Sequence, residues 1–199
     1  MDFLVEMTTH VPAGTSPQNL EDVRAREATR ARELASAGQL LRLWRPPLAP
    51  GEWRTLGLFA AQDADQLEQK LASMPLRIWR TDRVTPLAPH PNDPGRISAP
   101  SEFLTTLTIT VPEGSDAIEV AGRKTRETVR ARELAGLGRL VRLWTPPNPP
   151  GVWRTVGLWG AADLDDLTSI LRSLPLYEWM TVEATSLSVH PSDPANGGA

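Results

Sequence analysis

Residues 3–11 alternate: Phe3, Val5 and Met7 fall on one face, and Leu4, Glu6, Thr8 and His10 on the other. A period of two predicts a half-buried strand. Gly14 to Pro17 break it, and Ser16 before Pro17 offers a capping oxygen and a residue pre-set for a first helical turn. The spacing then becomes helical. Leu20, Val23, Ala31 and Leu34 share one stripe on a wheel of about 100° per residue. That helix stops at Gly38, a residue favoured just past a helix end. Strands near 39–45 and 53–60 follow, joined by the proline-rich stretch Pro46 to Gly51. Asp63 caps a second helix, which must end before Pro75, and a last strand covers 78–88.

The whole pattern returns 100 residues later. Phe3-Leu4 becomes Phe103-Leu104, Arg30 to Ala35 becomes Arg130 to Ala135, and Arg42-Leu43-Trp44 becomes Arg142-Leu143-Trp144. His90-Pro91-Asn92-Asp93-Pro94 returns as His190-Pro191-Ser192-Asp193-Pro194. Laid on 101–195, residues 1–95 show 44 identities without a gap. A period this long marks a duplicated domain, not a solenoid unit. Domains are therefore expected at 1–95 and 101–195. Each has the order βαββαβ, in which two helices cover one face of a four-stranded sheet. The fold class is α+β, two tandem ferredoxin-like domains. A sheet this small needs cover on its second face, so the copies are expected to form a pseudo-dimer packed sheet to sheet.

Composition narrows the chemistry. Of the 199 residues 40% are hydrophobic and 23% charged, which suits a globular protein. A formal charge of −3 gives no basic footprint for nucleic acid. The absence of cysteine excludes thiolate nucleophiles and disulfides, and three histidines at 10, 90 and 190 argue against a multi-histidine metal centre. No apolar run is long enough for a membrane span. Met1 to Glu6 carries acids where a secretory signal needs basic residues, so a cytoplasmic protein is expected. Only Lys70 and Lys124 among the 21 basic residues are lysine, a bias that suits planar anion recognition. No Gly-rich phosphate loop or nucleophile elbow occurs.

Glu27 falls in the middle of the first helix's apolar stripe, and Glu127 repeats it among Val120, Ala131 and Leu134. A buried carboxylate is costly unless paired or raised in pKa, and a raised carboxyl is what a proton-transfer enzyme uses as a base. Arg24 and Arg30, three residues to either side, equally suit a salt bridge along the helix. Strand alternation puts Leu40, Arg42 and Trp44 on one face, and Arg142 and Trp144 repeat the pair in the second copy. An arginine beside an indole either grips a ligand carboxylate or joins a cross-strand packing cluster with Trp53. Glu6 and His10 become Thr106 and Thr110 in the second copy. They either line a cavity between the sheets or mark an exposed strand face. His90 and His190 lie in proline-rich tails, where a structural or exposed role is expected.

Each copy resembles muconolactone Δ-isomerase. The similarity runs through Phe3-Leu4-Val5-Glu6-Met7, Val11-Pro12, Arg24 with Glu27, Leu43-Trp44-Arg45, Met74-Pro75-Leu76 and His90-Pro91. The second copy is similar through Lys124 with Glu127, Leu143-Trp144-Thr145, Leu174-Pro175-Leu176 and His190-Pro191. The resemblance implies a cofactor-free isomerase of aromatic catabolism that moves a proton within a small unsaturated lactone carrying a carboxylate. It implies Glu27 and Glu127 as proton carriers. Arg42, Arg142, Trp44, Trp144, Arg24, Lys124, Glu6 and His10 are then the expected substrate contacts. No metal is expected, and the implied partners are a small-molecule substrate and further copies of the chain in a homo-oligomer. The alternatives are a cyclase or dehydratase of specialised metabolism using the same pocket, and a non-catalytic ligand-binding module.

Overall fold

Each stretch with a period of two forms a strand, and each with helical spacing a helix. The computed structural model describes residues 1–96 and 98–197. The first repeat runs β1 (Asp2–Thr9), α1 (Pro17–Ser36), β2 (Leu40–Arg45), β3 (Arg54–Ala60), α2 (Ala64–Ala72) and β4 (Arg80–Pro89). The second runs β5 (Glu102–Ile109), α3 (Ala117–Gly136), β6 (Leu140–Thr145), β7 (Trp153–Gly160), α4 (Leu164–Arg172) and β8 (Met180–Val189). The helix ends follow from their caps: the Asn19 N–H donates to Ser16 Oγ at 3.2 Å and the Gln66 N–H to Asp63 Oδ1 at 2.8 Å. Gly38, at φ +67, takes the left-handed conformation that a side chain would strain. One boundary differs from the sequence pattern. Residues Pro75–Trp79 wind into a 3₁₀ turn, with the Arg77 N–H on the Met74 carbonyl, before β4 begins at Arg80.

The chain divides into two compact units. Unit 1 contains Met1–Leu87 and the chain from Ser188 onward; unit 2 is Ala88–Leu187. The units therefore differ from the sequence repeats at their ends, because each unit contains the tail of the other repeat. In unit 1, β1 pairs antiparallel with β3 and β4, β2 pairs with β3, and Trp44 and Arg45 of β2 pair with Val189 and Ser188. Unit 2 repeats this, with Ala88 and Pro89 paired to Thr145 and Trp144 of β6. The helix-covered face of unit 1 packs Phe3, Val5 and Met7 against Ala31, Leu34, Leu40, Leu43, Leu67 and Leu71. Fully burying one such Leu or Phe side chain stabilises the fold by about 1.5–3 kcal/mol.

An irregularity in β2 decides which side chains reach that face. The β2–β3 register shifts between Leu40 and Arg42, and the β6–β7 register shifts between Leu140 and Arg142. One extra residue in a strand reverses the alternation beyond it. Leu40 and Leu43 consequently both enter the core, and Arg42 and Trp44 are turned from it.

Candidate active site

In unit 1 a cavity of about 280 Å³ lies among α1, β1–β3, the 75–80 segment and the tail at His190 to Ser192. Glu27 stands on its wall. The Leu76 N–H donates to Glu27 Oε2 at 2.8 Å, and Arg80 Nη1 donates to Oε1 at 3.2 Å. Arg80 is itself held by Asp82, through Nε to Oδ1 at 2.6 Å and Nη2 to Oδ2 at 3.0 Å. Both Arg80 and Asp82 side chains are only 2% exposed. Burial raises the Glu27 carboxyl above the ordinary glutamate value; the Leu76 N–H and Arg80 pull it down, and Asp82 pushes it up. The helix salt bridge does not form on Glu27, because Arg24 lies 3.6 Å from Glu21 and Arg30 lies 2.8 Å from Glu33.

Two further arginines line this cavity, Arg24 from α1 and Arg45 from the end of β2. Arg24 sits over the Trp53 ring, 5.6 Å from its centroid. His190 completes the wall. Burial first, then Arg45 and Arg24, hold its imidazole down to about 4 against the pull of Asp193, so it is neutral at ordinary pH. Its Nδ1 accepts from the Ser192 N–H at 3.1 Å.

Unit 2 has a corresponding cavity of about 400 Å³ with Glu127 on its wall, Lys124 3.7 Å from the Trp153 ring centroid, and His90 from the first repeat's tail. The Leu176 N–H donates to Glu127 Oε2 at 3.0 Å. Burial raises this carboxyl too, with only that N–H opposing it. Position 180 is Met and position 182 is Val, so the buried arginine and aspartate of unit 1 have no counterpart. Among the described residues Glu127 forms no ion pair.

Four expected substrate contacts lie elsewhere. Arg42, 2% exposed, grips Asp193 through Nε and Nη2 at 3.0–3.2 Å and lies 4.8 Å from the Trp44 ring centroid. Arg142 does the same with Asp93 at 3.1 Å and with Trp144 at 4.6 Å. The strand shift places all four on the side away from the cavities, so Arg42, Trp44, Arg142 and Trp144 clamp the tails instead of lining a pocket. Glu6 lies on the strand face opposite Phe3, Val5 and Met7, as the alternation predicts, but lines neither cavity; it pairs across strands with Arg83 at 2.9 Å. His10 is exposed just past β1 and lines neither cavity. Conversely, Arg45, Arg80, Asp82 and the two tail histidines were not singled out as site residues. Their signals were a charged pair two apart in one repeat where the other has Met180 and Val182, and a histidine conserved between the two tails.

A βαββαβ sandwich carried twice, with a part-buried carboxylate facing each cavity, defines a duplicated ferredoxin-like α+β protein. A family model described as muconolactone delta-isomerase matches residues 1–93 and again 101–193. The chain belongs to that family of isomerases, as a tandem duplication of its domain. It is 32% identical over 92 residues to the muconolactone Delta-isomerase of Cupriavidus pinatubonensis, covering 46% of this chain and 97% of that one. To the enzyme of the same name from Rhodococcus opacus it is 26% identical over 91 residues, covering 46% and 95%. The fold is similar along nearly its full length to a chlorite dismutase from Candidatus Nitrospira defluvii, with TM-score 0.57, 12% identity, and 94% and 91% of the two chains covered. Among the described residues no helix is long and apolar enough to cross a membrane, and no group of three His, Cys, Asp or Glu side chains could hold a metal ion.

Proposed function

We propose that the unit 1 cavity isomerises a small unsaturated lactone bearing a carboxylate, as the names of the relatives suggest, and that Glu27 carries the proton. The observation that supports this is a part-buried carboxylate facing a cavity with arginines at its rim. The ionised Glu27 takes a proton from a carbon conjugated through a double bond to the lactone carbonyl. The electron pair moves onto the carbonyl oxygen as a dienolate, and the same carboxyl returns the proton to the carbon nearer that carbonyl. Each carboxylate oxygen keeps a lone pair beyond the bond it already accepts, so neither hold on Glu27 blocks the transfer. A raised pKa brings the carboxyl closer in basicity to the carbon acid and eases the step. Arg24 and Arg45 hold the substrate carboxylate by charge-assisted hydrogen bonds. Glu127 faces the second cavity with Lys124 near it but without a paired guanidinium, and takes the smaller share of turnover.

Glu27→Gln keeps the size and the Leu76 hydrogen bond while removing the base. In a Glu127→Gln background, turnover of muconolactone should fall by about 10²–10⁴ with ligand binding retained; in the parent background it should fall to the smaller share carried by Glu127. A variant that turns over at the parent rate rejects Glu27 as the proton carrier.

A further inference from the structure

The strongest unassigned feature is the run of alternating charges behind Glu27. Glu68, Arg77, Asp82, Arg80 and Glu27 are linked in that order by contacts of 2.8, 2.8, 2.6 and 3.2 Å, from an exposed end to the cavity wall. We infer that Asp82 is a positioning residue for the proton carrier: by taking the Nε–Nη2 edge of Arg80, it leaves Glu27 a single contact from Nη1 and offsets part of the guanidinium charge that Glu27 would otherwise feel. This rests on the reading of Glu27 as the base.

The geometry carries the point. A guanidinium offers two two-pronged edges that match a carboxylate, Nε with Nη2 and Nη1 with Nη2. Asp82 occupies the Nε–Nη2 edge at 2.6 and 3.0 Å, and Glu27 receives a single, longer contact from Nη1 at 3.2 Å. Freed from Asp82, the buried Arg80 would turn its fork to Glu27 and hold it as a tight ion pair, which makes a poor base. With neither residue, Glu27 would be left with burial and one N–H, as Glu127 is in unit 2. Asp82 thus sets a middle position between too strong and too weak a hold. The other charged or titratable side chains on the cavity are Glu21 and Arg24 of α1, Arg45 of β2 and His190 of the tail. None of these forms a hydrogen bond to Glu27, so the Asp82–Arg80 pair is the adjustable element.

The test is the pH profile of kcat/KM of the full chain with muconolactone. Asp82→Asn should move the acidic limb to lower pH by about one unit, with KM nearly unchanged, and Asp82→Glu should restore it towards the parent. The double variant Arg80→Met with Asp82→Val copies the residues that unit 2 already folds around, so it guards against a misfolded single variant. It should move the limb the opposite way, to higher pH, because removing Arg80 outweighs removing Asp82. A purely structural Asp82 would lower the active fraction and leave the limb in place. An unmoved limb in both variants, with Glu27→Gln inactive, overturns this inference alone; an active Glu27→Gln overturns the reading beneath it.

Discussion

The two units share a backbone plan and the same register shift, yet their cavities diverge at the residues behind the glutamate. Unit 1 backs Glu27 with Arg80 and Asp82, both buried, and rims its cavity with Arg24 and Arg45. Unit 2 has Met180 and Val182 at the matching positions, packed against the apolar cluster that holds Phe103, Leu107 and Leu134, and Thr145 in place of Arg45. Removing an ion pair together, in favour of apolar side chains, costs a fold little, whereas removing one partner costs much. The fold therefore accepts either the charged pair of unit 1 or the apolar pair of unit 2 at these two positions. The difference teaches that a fold's requirements and a site's requirements are separable here: the cores match, and the charges do not.

The tails extend the comparison to stability. Arg42 and Asp193 in unit 1 are 2% and 0% exposed, whereas Arg142 and Asp93 in unit 2 are 18% and 10% exposed. Asp193→Asn removes the carboxylate that grips a buried guanidinium and should cost up to about 3–5 kcal/mol in a denaturant titration. Asp93→Asn should cost less, because water reaches its partner, even though Asp93 also accepts the Leu143 N–H at 2.9 Å. Equal losses would mean that burial does not distinguish the two clamps.

A smaller effect concerns pH. His190 titrates at about 4 in the folded protein and near the ordinary 6.5 once unfolded. Between those values the unfolded chain binds more protons, so stability falls as pH drops through the window. His190→Gln should flatten that fall, measured as the pH dependence of the unfolding midpoint, and an unchanged slope would place His190 outside the buried wall. The smallest effect belongs to Glu127. Its folded pKa lies above the ordinary 4.5, so its ionisation disfavours the folded state at neutral pH, and the cost vanishes below the unfolded value. Glu127→Gln should therefore have a melting temperature at pH 7 no lower than the parent's, and the two should converge near pH 4. A clear drop at pH 7 would show a net favourable partner for that carboxylate.

Much of this was legible in the residues. The alternation of 3–9, the caps Ser16 and Asp63 and the terminator Gly38 fix the elements through local physics, and the offset of 100 gives the duplication directly. Glu27 and Glu127 were legible because a carboxylate in an apolar stripe has few explanations. Arg42 and Trp44 were misplaced because a strand's alternation fails at an extra residue, and nothing in Leu40-Leu41-Arg42 announces one. Glu6 keeps the face that alternation gives it, but its ion pair with Arg83 was not legible, because that partner lies 77 residues away, across a register that only the folded sheet creates. Arg80 was missed for a similar reason: it reaches Glu27 from 53 residues away, through a 3₁₀ turn that the pattern merged into the last strand.

The central claim is that proton transfer belongs to the glutamate backed by the buried arginine. It is tested most directly by incorporation of solvent deuterium into muconolactone, measured by mass spectrometry for Glu27→Gln and Glu127→Gln side by side. The account predicts that Glu27→Gln loses nearly all incorporation and Glu127→Gln keeps more than half. Incorporation that survives in Glu27→Gln and disappears in Glu127→Gln would contradict it.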